Sequence, residues 1–204
     1  MKNVLLISAC ARPDSRTYRL AKIAASRINA GYSVVQLYNE NLQPLDYYNL
    51  SKRDGFIEQQ NYDDEMFRFA KQFREADEIV IAVSYWDLSF PSILKCYFEA
   101  ICVNGLTFKY GENGQVIPLC KCKRLLYITT AGGYIGENNH GYDYVKALCN
   151  NLLGIENPAC LSAEGLDIFV NNVEELSVTV DEEIFKIGFS LAIKIMTEAG
   201  NIEL

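Results

Sequence analysis

The sequence lacks several features that define common protein classes. No stretch approaches the roughly 20 consecutive apolar residues that a membrane-spanning helix needs. Positive charge is scarce as well, since 19 Lys and Arg against 26 Asp and Glu give a formal net charge of −7. Because nucleic acids and anionic membranes bind positive surfaces, this balance argues against both as partners. Seven cysteines in 204 residues are too few for a disulfide scaffold, so we expect a reducing, cytoplasmic location.

Several motifs that would assign a function are also missing. The loop from Ser8 to Thr17 contains no glycine, so it is neither a P-loop nor a GxGxxG dinucleotide turn, which argues against tightly bound ATP, GTP or a dinucleotide. No G-x-S-x-G elbow accompanies the single histidine, which argues against a serine hydrolase. The sequence also argues against a phosphoacceptor receiver domain, because such a domain needs an acidic pair after its first strand and this chain has Ser8 and Ala9 there. Cys120 and Cys122 lack a second cysteine pair, so we expect no metal site.

Short apolar runs alternate with segments of helical periodicity. Runs typical of buried strands are Val4–Ser8, Val34–Tyr38, Glu78–Val83, Lys123–Thr130 and Cys160–Leu166. Helical periods cover Ser15–Asn29, a segment that begins at Asp63 and Asp64, Pro91–Ile101, Tyr142–Leu153 and Asp181–Glu198. The polar segment Asn39–Asn61 shows no sustained period and is predicted to be a long excursion, while Leu106–Tyr110 and Gln115–Ile117 are predicted to form a hairpin. Five βα units without a linker predict one doubly wound α/β domain, residues 1–204.

Ligands bind to such sheets outside the carboxyl ends of the strands. The loop after the first strand ends in Ser15, Arg16 and Thr17, where the first helix begins. Free backbone N–H groups at a helix N-terminus attract anions, and the two hydroxyl groups with Arg16 or Arg12 fit a phosphate site. The alternative is simple N-capping of the helix by Ser15.

The loops after the third and fourth main strands add an aromatic wall and exposed backbone. Tyr85 and Trp86 follow the third strand, where a run of aromatics ahead of Pro91 suits a flat ligand better than core packing. Gly132 and Gly133 let backbone amides approach a ligand edge, although a surface turn needs glycines too. An anion site, an aromatic wall and exposed amides together fit a mononucleotide with a planar ring, and FMN is the candidate.

The segment Tyr85–Tyr110 resembles FMN-dependent NADH azoreductases and related flavodoxin-like quinone reductases. Ile128–Gly133, Leu153–Ile155 and Ala163–Leu166 are similar to other landmarks of that family. The resemblance implies a flavodoxin-like five-stranded parallel sheet of order 2-1-3-4-5 with helices on both faces. It also implies FMN, NADH or NADPH as co-substrate, a homodimer, and ping-pong two-electron reduction of quinones, azo compounds or nitroaromatics. The alternative is a flavodoxin-like electron carrier or redox-sensing module that takes no hydride from a pyridine nucleotide.

The resemblance also implies roles for individual residues. The residues expected near the FMN phosphate are Ser8, Ser15, Arg16 and Thr17; those along the ring are Tyr85, Trp86, Asp87 and Leu88; those at its pyrimidine edge are Thr130, Ala131, Gly132 and Gly133. Two positions depart from the family pattern. Asp87 stands where these enzymes usually have Asn, and a carboxylate there should lower the flavin potential. Ser84 replaces the usual proline.

Tyr134 and His140 lie six residues apart in the glycine-containing loop. Related quinone reductases carry a Tyr and a His at this spacing, where they stabilise charge as hydride leaves the flavin. The resemblance therefore implies that Tyr134 and His140 are catalytic. The alternative is that Asn138–Gly141 form only a solvated turn. The physiological acceptor is not determined by these residues.

Overall fold

The computed structural model describes residues 2–156, 158–167 and 193–196. Its strands are β1 (Val4–Ala9), β2 (Ser33–Gln36), β3 (Glu78–Ser84), β4 (Phe108–Tyr110), β5 (Val116–Pro118), β6 (Arg124–Thr130), β7 (Ala159–Glu164) and β8 (Ile193–Met196). Its α-helices are α1 (Arg16–Ile28), α2 (Tyr47–Glu58), α3 (Arg68–Glu75), α4 (Ser92–Ile101) and α5 (His140–Leu148). Short 3-10 turns cover Leu37–Asn39 and Glu65–Phe67, and a π-helical turn covers Cys149–Leu153.

One parallel sheet has the order β2-β1-β3-β6-β7-β8, and β4 pairs with β5 in a separate antiparallel hairpin. The first five strands of the sheet therefore confirm the predicted order 2-1-3-4-5. In β1, alternate residues enter two different cores. Leu5 and Ile7 pack in the larger cluster with residues of α3, α4 and α5, whereas Val4 and Leu6 pack with α1. Helices thus cover both faces, as the continuous apolar strands indicate.

Two predictions about the fold were wrong in part. The predicted excursion Asn39–Asn61 contains α2, which begins after Asp46, whose carboxylate accepts a hydrogen bond from the N–H of Asn49. No residue of α2 is buried, so the helix carries no apolar stripe that periodicity could detect. At the carboxyl end of the chain, Ile193–Met196 pair with β7 as a strand, not a helix. The rest of the predicted helix Asp181–Glu198 lies outside the described residues.

The amino end of the sheet is closed by ion pairs. Glu78, the first residue of β3, is 3% exposed and contacts Lys2 at 2.6 Å and Arg124. Beside it, the carboxylate of Asp77 accepts a hydrogen bond from the N–H of Asn3 at 2.7 Å. Buried charges are stable only when paired in this way. Within the described ranges, no helix is long and apolar enough to cross a membrane.

Candidate functional site

A cavity of about 510 Å³ opens at the carboxyl ends of β1, β3 and β6. The residues that line it come from the three loops after these strands and from one residue after β7; they are Arg12, Asp14, Ser15, Arg16, Thr17, Arg19, Ser84, Tyr85, Trp86, Thr130, Ala131, Gly132 and Asp167. Its volume lies within the range of cofactor sites, about 300–1,000 Å³. The edge of the sheet at which a ligand is predicted to bind therefore contains a cavity of suitable size.

The N-terminus of α1 forms one side of this cavity. Ser15 caps the helix, since its hydroxyl oxygen accepts a hydrogen bond from the N–H of Tyr18 at 3.2 Å. Thr17 is buried, and its hydroxyl group shares a 2.7 Å hydrogen bond with that of Thr130, which joins the first loop to the end of β6. The first turn of α1 has no acidic residue. Its free N–H groups and the nearby arginines therefore favour an anion.

Arg16 joins the cavity to the loop after β7. Its guanidinium group donates to the carbonyl oxygen of Leu166 at 3.1 Å and contacts the carboxylate of Asp167 at 2.5 Å. Both side chains are exposed to solvent, with 36% of the surface of Arg16 and 69% of that of Asp167 accessible. Exposed pairs contribute little to stability, so Arg16 can exchange Asp167 for another anion at low cost.

The aromatic side of the cavity is a tight turn after β3. Trp86 and Ser89 exchange two backbone hydrogen bonds, of 3.1 and 2.8 Å. The two central residues, Asp87 and Leu88, have φ angles of +49° and +64°. Asp tolerates this left-handed region, whereas a leucine there costs about 1–2 kcal/mol. Strain of this kind is concentrated at functional sites, where the surrounding structure enforces it.

The Tyr85 side chain is held against the loop after β6. Its hydroxyl group donates a hydrogen bond to the carbonyl oxygen of Asn138 at 3.0 Å. Partial burial raises the pKa of Tyr85, and the negative charge of Glu164 raises it further. Tyr85 therefore keeps its proton and remains a hydrogen-bond donor at neutral pH.

The loop after β7 supports the loop after β6 along its length. The backbone N–H groups of Leu166 and Asp167 donate to the carbonyl oxygens of Ala131 and Gly132, at 3.2 Å each. A Cβ atom on Gly132 would lie 1.9 Å from the carboxylate of Asp167. A larger residue than glycine would therefore displace Asp167 from the cavity wall.

The structure brings most of the predicted site residues together. Eight of them line the cavity, namely Ser15, Arg16, Thr17, Tyr85, Trp86, Thr130, Ala131 and Gly132. Asp87 and Gly133 directly follow lining residues, and Leu88 follows Asp87, but none of the three lines the cavity itself. Ser8 also lies outside the wall, because it is fully buried in β1 and its hydroxyl oxygen accepts a 3.4 Å hydrogen bond from the N–H of Cys10.

The two predicted catalytic residues lie in the loop beyond the cavity wall. Tyr134 is 54% exposed. His140 is the first residue of α5, its side chain is 60% exposed, and its Nδ1 atom is 3.8 Å from a carboxylate oxygen of Asp143. Their catalytic role stays a prediction, since neither side chain lines the cavity.

Sequence reasoning missed Asp14, Arg19 and Asp167 among the lining residues, and also the buried Glu164 behind them. Asp167 is separated from Arg16 by 151 positions, so no local pattern connects the two. A signal for Glu164 was present in the sequence, because it is an acidic residue within an otherwise apolar predicted strand. Such a residue is rarely buried without a partner.

A second cavity of about 510 Å³ lies between the α2 segment and α3. Its lining includes Pro44, Arg53, Met66, Arg68 and Phe69. None of its lining residues belongs to the loops after β1, β3, β6 or β7; part of its wall comes from the segment after β2, at the edge of the sheet. Size alone does not distinguish the two cavities, whereas their position in the fold does.

Comparison with known proteins places this geometry in a family. The profile of the Flavodoxin_2 family, described as a flavodoxin-like fold, matches residues 2–182. The FMN-dependent NADH:quinone oxidoreductase 2 of Clostridium acetobutylicum is 34% identical over 186 residues, which cover 85% of this chain and 92% of that protein. An FMN-dependent NADH:quinone oxidoreductase of Coprothermobacter proteolyticus is 31% identical over 186 residues, 86% of this chain and 92% of that protein.

Solved structures agree on the fold. An FMN-dependent NADH-azoreductase from Bacillus anthracis, crystallised in complex with FMN, superposes with a TM-score of 0.70. It is 23% identical, and the match covers 91% of this chain and 97% of that one. The family profile and the relatives each span most of the sequence, so the chain belongs to the Flavodoxin_2 family of proteins with a flavodoxin-like fold.

Proposed function

We propose that this chain is an FMN-dependent NADH:quinone oxidoreductase. The observation that carries the proposal is the cavity at the carboxyl ends of β1, β3 and β6, which has anion-binding groups on one side and an aromatic turn on the other. Relatives that are 31–34% identical over more than four-fifths of the chain are named for this activity.

The chemistry of the donor set fits FMN. A phosphate monoester suits the α1 N-terminus, with the Thr17 hydroxyl group, the Arg16 guanidinium group and no acid in the first helical turn. A flat ring suits the exposed face of Trp86 and the Tyr85 side chain. The backbone at Ala131 and Gly132 suits the pyrimidine edge of the flavin ring, because a glycine lets the ring come close to the backbone. When bound, FMN would supply two-electron redox chemistry between a pyridine nucleotide and the acceptor.

The proposed role of the chain's own residues is to bind FMN and to orient its ring. Ser15, Arg16 and Thr17 hold the phosphate end, so that the ring is fixed at the opposite side of the cavity. Tyr85 and Trp86 exclude water from one edge of the ring. We include Ser8, Asp87, Leu88, Thr130 and Gly133 in the proposed cofactor site on the resemblance to the family.

Tyr134 and His140 are the proposed catalytic residues. We propose that the Tyr134 hydroxyl group and the His140 imidazole stabilise charge, or deliver a proton, while the acceptor is reduced. The carboxylate of Asp143 lies 3.8 Å from Nδ1 of His140, on the same face of α5. Their exposure agrees with a site that an incoming acceptor reaches from solvent.

We further propose that residues 1–204 are a single domain that forms a cytoplasmic homodimer. The family profile spans residues 2–182, which supports one domain. All seven cysteines are free thiols, which supports a reducing compartment. NADH is the proposed donor because the relatives are named for it, and NADPH remains an alternative. Quinones are the proposed acceptors, with azo compounds and nitroaromatics as further substrates.

The experiment is an anaerobic NADH titration of the purified protein, followed in the visible spectrum, with a benzoquinone added afterwards. We expect a flavin spectrum that bleaches rapidly with NADH and returns with the quinone. A flavin that stays oxidised would identify an electron carrier instead. A protein that takes up no flavin, even after incubation with FMN, contradicts the proposal entirely.

The catalytic role of His140 has its own test. His140→Gln removes the imidazole but retains hydrogen-bonding capacity, so we expect quinone turnover to fall about 100-fold. FMN affinity should remain unchanged, because His140 does not line the cavity. If the variant turns over quinone at the wild-type rate at every pH, His140 has no catalytic role.

A further inference from the structure

Glu164 is a buried carboxylate for which the proposed function has no role. It ends β7, at the same edge of the sheet as the candidate site, and it is 1% exposed. Its Oε2 atom accepts hydrogen bonds from the backbone N–H groups of Ile135 at 2.7 Å and Gly136 at 3.1 Å. Burial of a carboxylate costs several kcal/mol unless its oxygens are hydrogen-bonded. These two bonds are part of what stabilises the charge there.

The two bonds fix the turn that carries Tyr134. Ile135 directly follows Tyr134, and Gly136 has a φ angle of +60°. The carbonyl oxygen of Ile135 accepts a 3.2 Å hydrogen bond from the N–H of Asn138. The carbonyl oxygen of Asn138 in turn accepts the hydrogen bond of the Tyr85 hydroxyl group. A continuous series of contacts therefore runs from Glu164 through the loop to the aromatic side of the cavity.

Backbone hydrogen bonds also join the two loops. Gly165 donates its backbone N–H to the carbonyl oxygen of Gly133 at 2.9 Å, and Leu166 and Asp167 make similar backbone bonds. Gly165 has a φ angle of +70°, which favours glycine, whereas the bonds of residues 166 and 167 need only the backbone N–H groups. The acceptor that reaches the N–H groups of Ile135 and Gly136, however, belongs to the Glu164 side chain.

We propose that Glu164 is a positioning residue of the cofactor site, whose carboxylate holds Tyr134–Gly136 and, through Asn138, the Tyr85 side chain in the arrangement that receives the flavin ring. This inference rests on the proposed function. The charge of Glu164 also acts on Tyr85, whose pKa is raised first by burial and then by this carboxylate. Glu164 therefore helps to keep the Tyr85 hydroxyl group protonated as the donor to Asn138.

Three substitutions separate the position of the acceptor from its charge. Glu164→Gln keeps an oxygen acceptor at the same distance from the backbone and removes the charge. Glu164→Asp keeps the charge and withdraws it by one methylene group. Glu164→Ala removes both. Glu78→Gln is the matched control, since Glu78 is another buried carboxylate of the same sheet but lies at its amino end.

The experiment measures FMN affinity of the apoproteins by quenching of flavin fluorescence, together with hydrogen exchange at the Ile135 and Gly136 amides without FMN. We expect Glu164→Ala and Glu164→Asp to raise the Kd for FMN about tenfold and to speed exchange of both amides about tenfold or more. Glu164→Gln should restore both quantities to within about twofold of wild type. Glu78→Gln should change neither, although it lowers stability.

Unchanged FMN affinity and unchanged amide exchange in Glu164→Asp would overturn the inference, and so would a Glu164→Gln variant as impaired as Glu164→Asp. If Glu164→Ala does not fold, the comparison of Asp with Gln decides alone. Failure of the proposed function looks different, because the wild-type apoprotein would then bind no FMN.

Discussion

The ion pairs at the two ends of the parallel sheet differ in how far solvent reaches them. At the amino end, Glu78 is buried to 3% exposure between Lys2 and Arg124. At the carboxyl end, Arg16 and Asp167 form a pair that solvent reaches on both sides, beside a cavity of about 510 Å³. The buried Glu78 carboxylate secures the fold only while Lys2 and Arg124 pair with it, because an unpaired buried charge is strongly destabilising. An open pair costs little to exchange, so the same residue types at this end are available to a ligand.

Two buried thiols at the amino end of the sheet give the largest expected effect, which is on the pH dependence of stability. Burial raises the pKa of Cys120 and of Cys122 to about 12, from 9.0. Both precede β6, at the amino end of the sheet. In unfolded chains these thiols lose protons near pH 9, whereas in the folded state they keep them. The folded state therefore binds more protons above pH 9, and stability falls as the pH rises towards 12.

We expect these two thiols to remove about 2.7 kcal/mol of unfolding free energy per pH unit above pH 9, at about 1.4 kcal/mol each. Urea unfolding at pH 8, 9 and 10 under reducing conditions measures the total slope, to which Cys102, Cys149 and Cys160 also contribute because burial raises their pKa values. The share of Cys120 and Cys122 is the difference in slope between the wild type and a variant that carries both Cys120→Ala and Cys122→Ala. Cys122→Ala is the control, because it should make the slope shallower by the share of one thiol. An identical slope in the variant would show that Cys122 is not protected from ionisation.

Glu78→Gln tests the buried ion pairs at the amino end of the sheet. We expect it to lower the free energy of unfolding by about 2 kcal/mol, because a buried group loses its ionic partners. Asp167→Asn removes the equivalent charge from the open end, and we expect less than about 0.5 kcal/mol there. Urea unfolding of both variants at pH 7 measures the contrast. Equal losses would mean that the two ends do not differ in the way described.

Backbone strain at the open end gives a smaller effect of opposite sign. Leu88 has a φ angle of +64° and is 52% exposed, so its replacement by glycine removes strain without loss of core packing. We expect Leu88→Gly to raise the free energy of unfolding by about 1 kcal/mol. Leu88→Ala is the control, because a Cβ atom retains the strain. A glycine variant no more stable than the alanine variant would remove the argument from strain.

Asp87 gives the smallest expected effect. It is exposed at the tip of the turn, and asparagine tolerates the same left-handed backbone. Removal of an exposed charge near the flavin should raise the midpoint potential of Asp87→Asn by about 5–10 mV, as expected for a few tenths of a kcal/mol in a two-electron couple. Potentiometric titration at low and high salt measures it, and the difference should shrink as salt screens the charge. A lower potential in the variant would contradict this assignment.

Much of the fold was predictable from the sequence, because most strands and helices follow from hydrophobic patterns over a few neighbouring residues. Buried parallel strands such as Glu78–Ser84 form apolar runs, and the helix that begins after Ser15 carries an apolar face. α2 was missed because none of its residues is buried, so its start at Asp46 was the only signal. The order of the strands followed from family resemblance and not from periodicity.

The candidate site was predictable where its residues are close in sequence. The loop that ends in Thr17 and the turn at Trp86 each show unusual composition over a few residues. The partners of Glu164 and Asp167 were not predictable, since these residues meet them only when distant strands pair. Such contacts form only in the packed sheet and cannot be inferred from the spacing of residues in the sequence.

The most direct measurement compares two arginines that differ chiefly in the end of the sheet where they lie. Arg16 and Arg124 each pair with a carboxylate, and their side chains are 36% and 38% exposed. Fluorescence titration of the apoproteins with FMN should show that Arg16→Ala raises the Kd about 10- to 100-fold, through loss of charge-assisted bonds to phosphate. Arg124→Ala should bind FMN with an affinity within about twofold of wild type. Equal losses in the two variants, or a larger loss in Arg124→Ala, would contradict the assignment of the flavin site to the carboxyl end of the sheet.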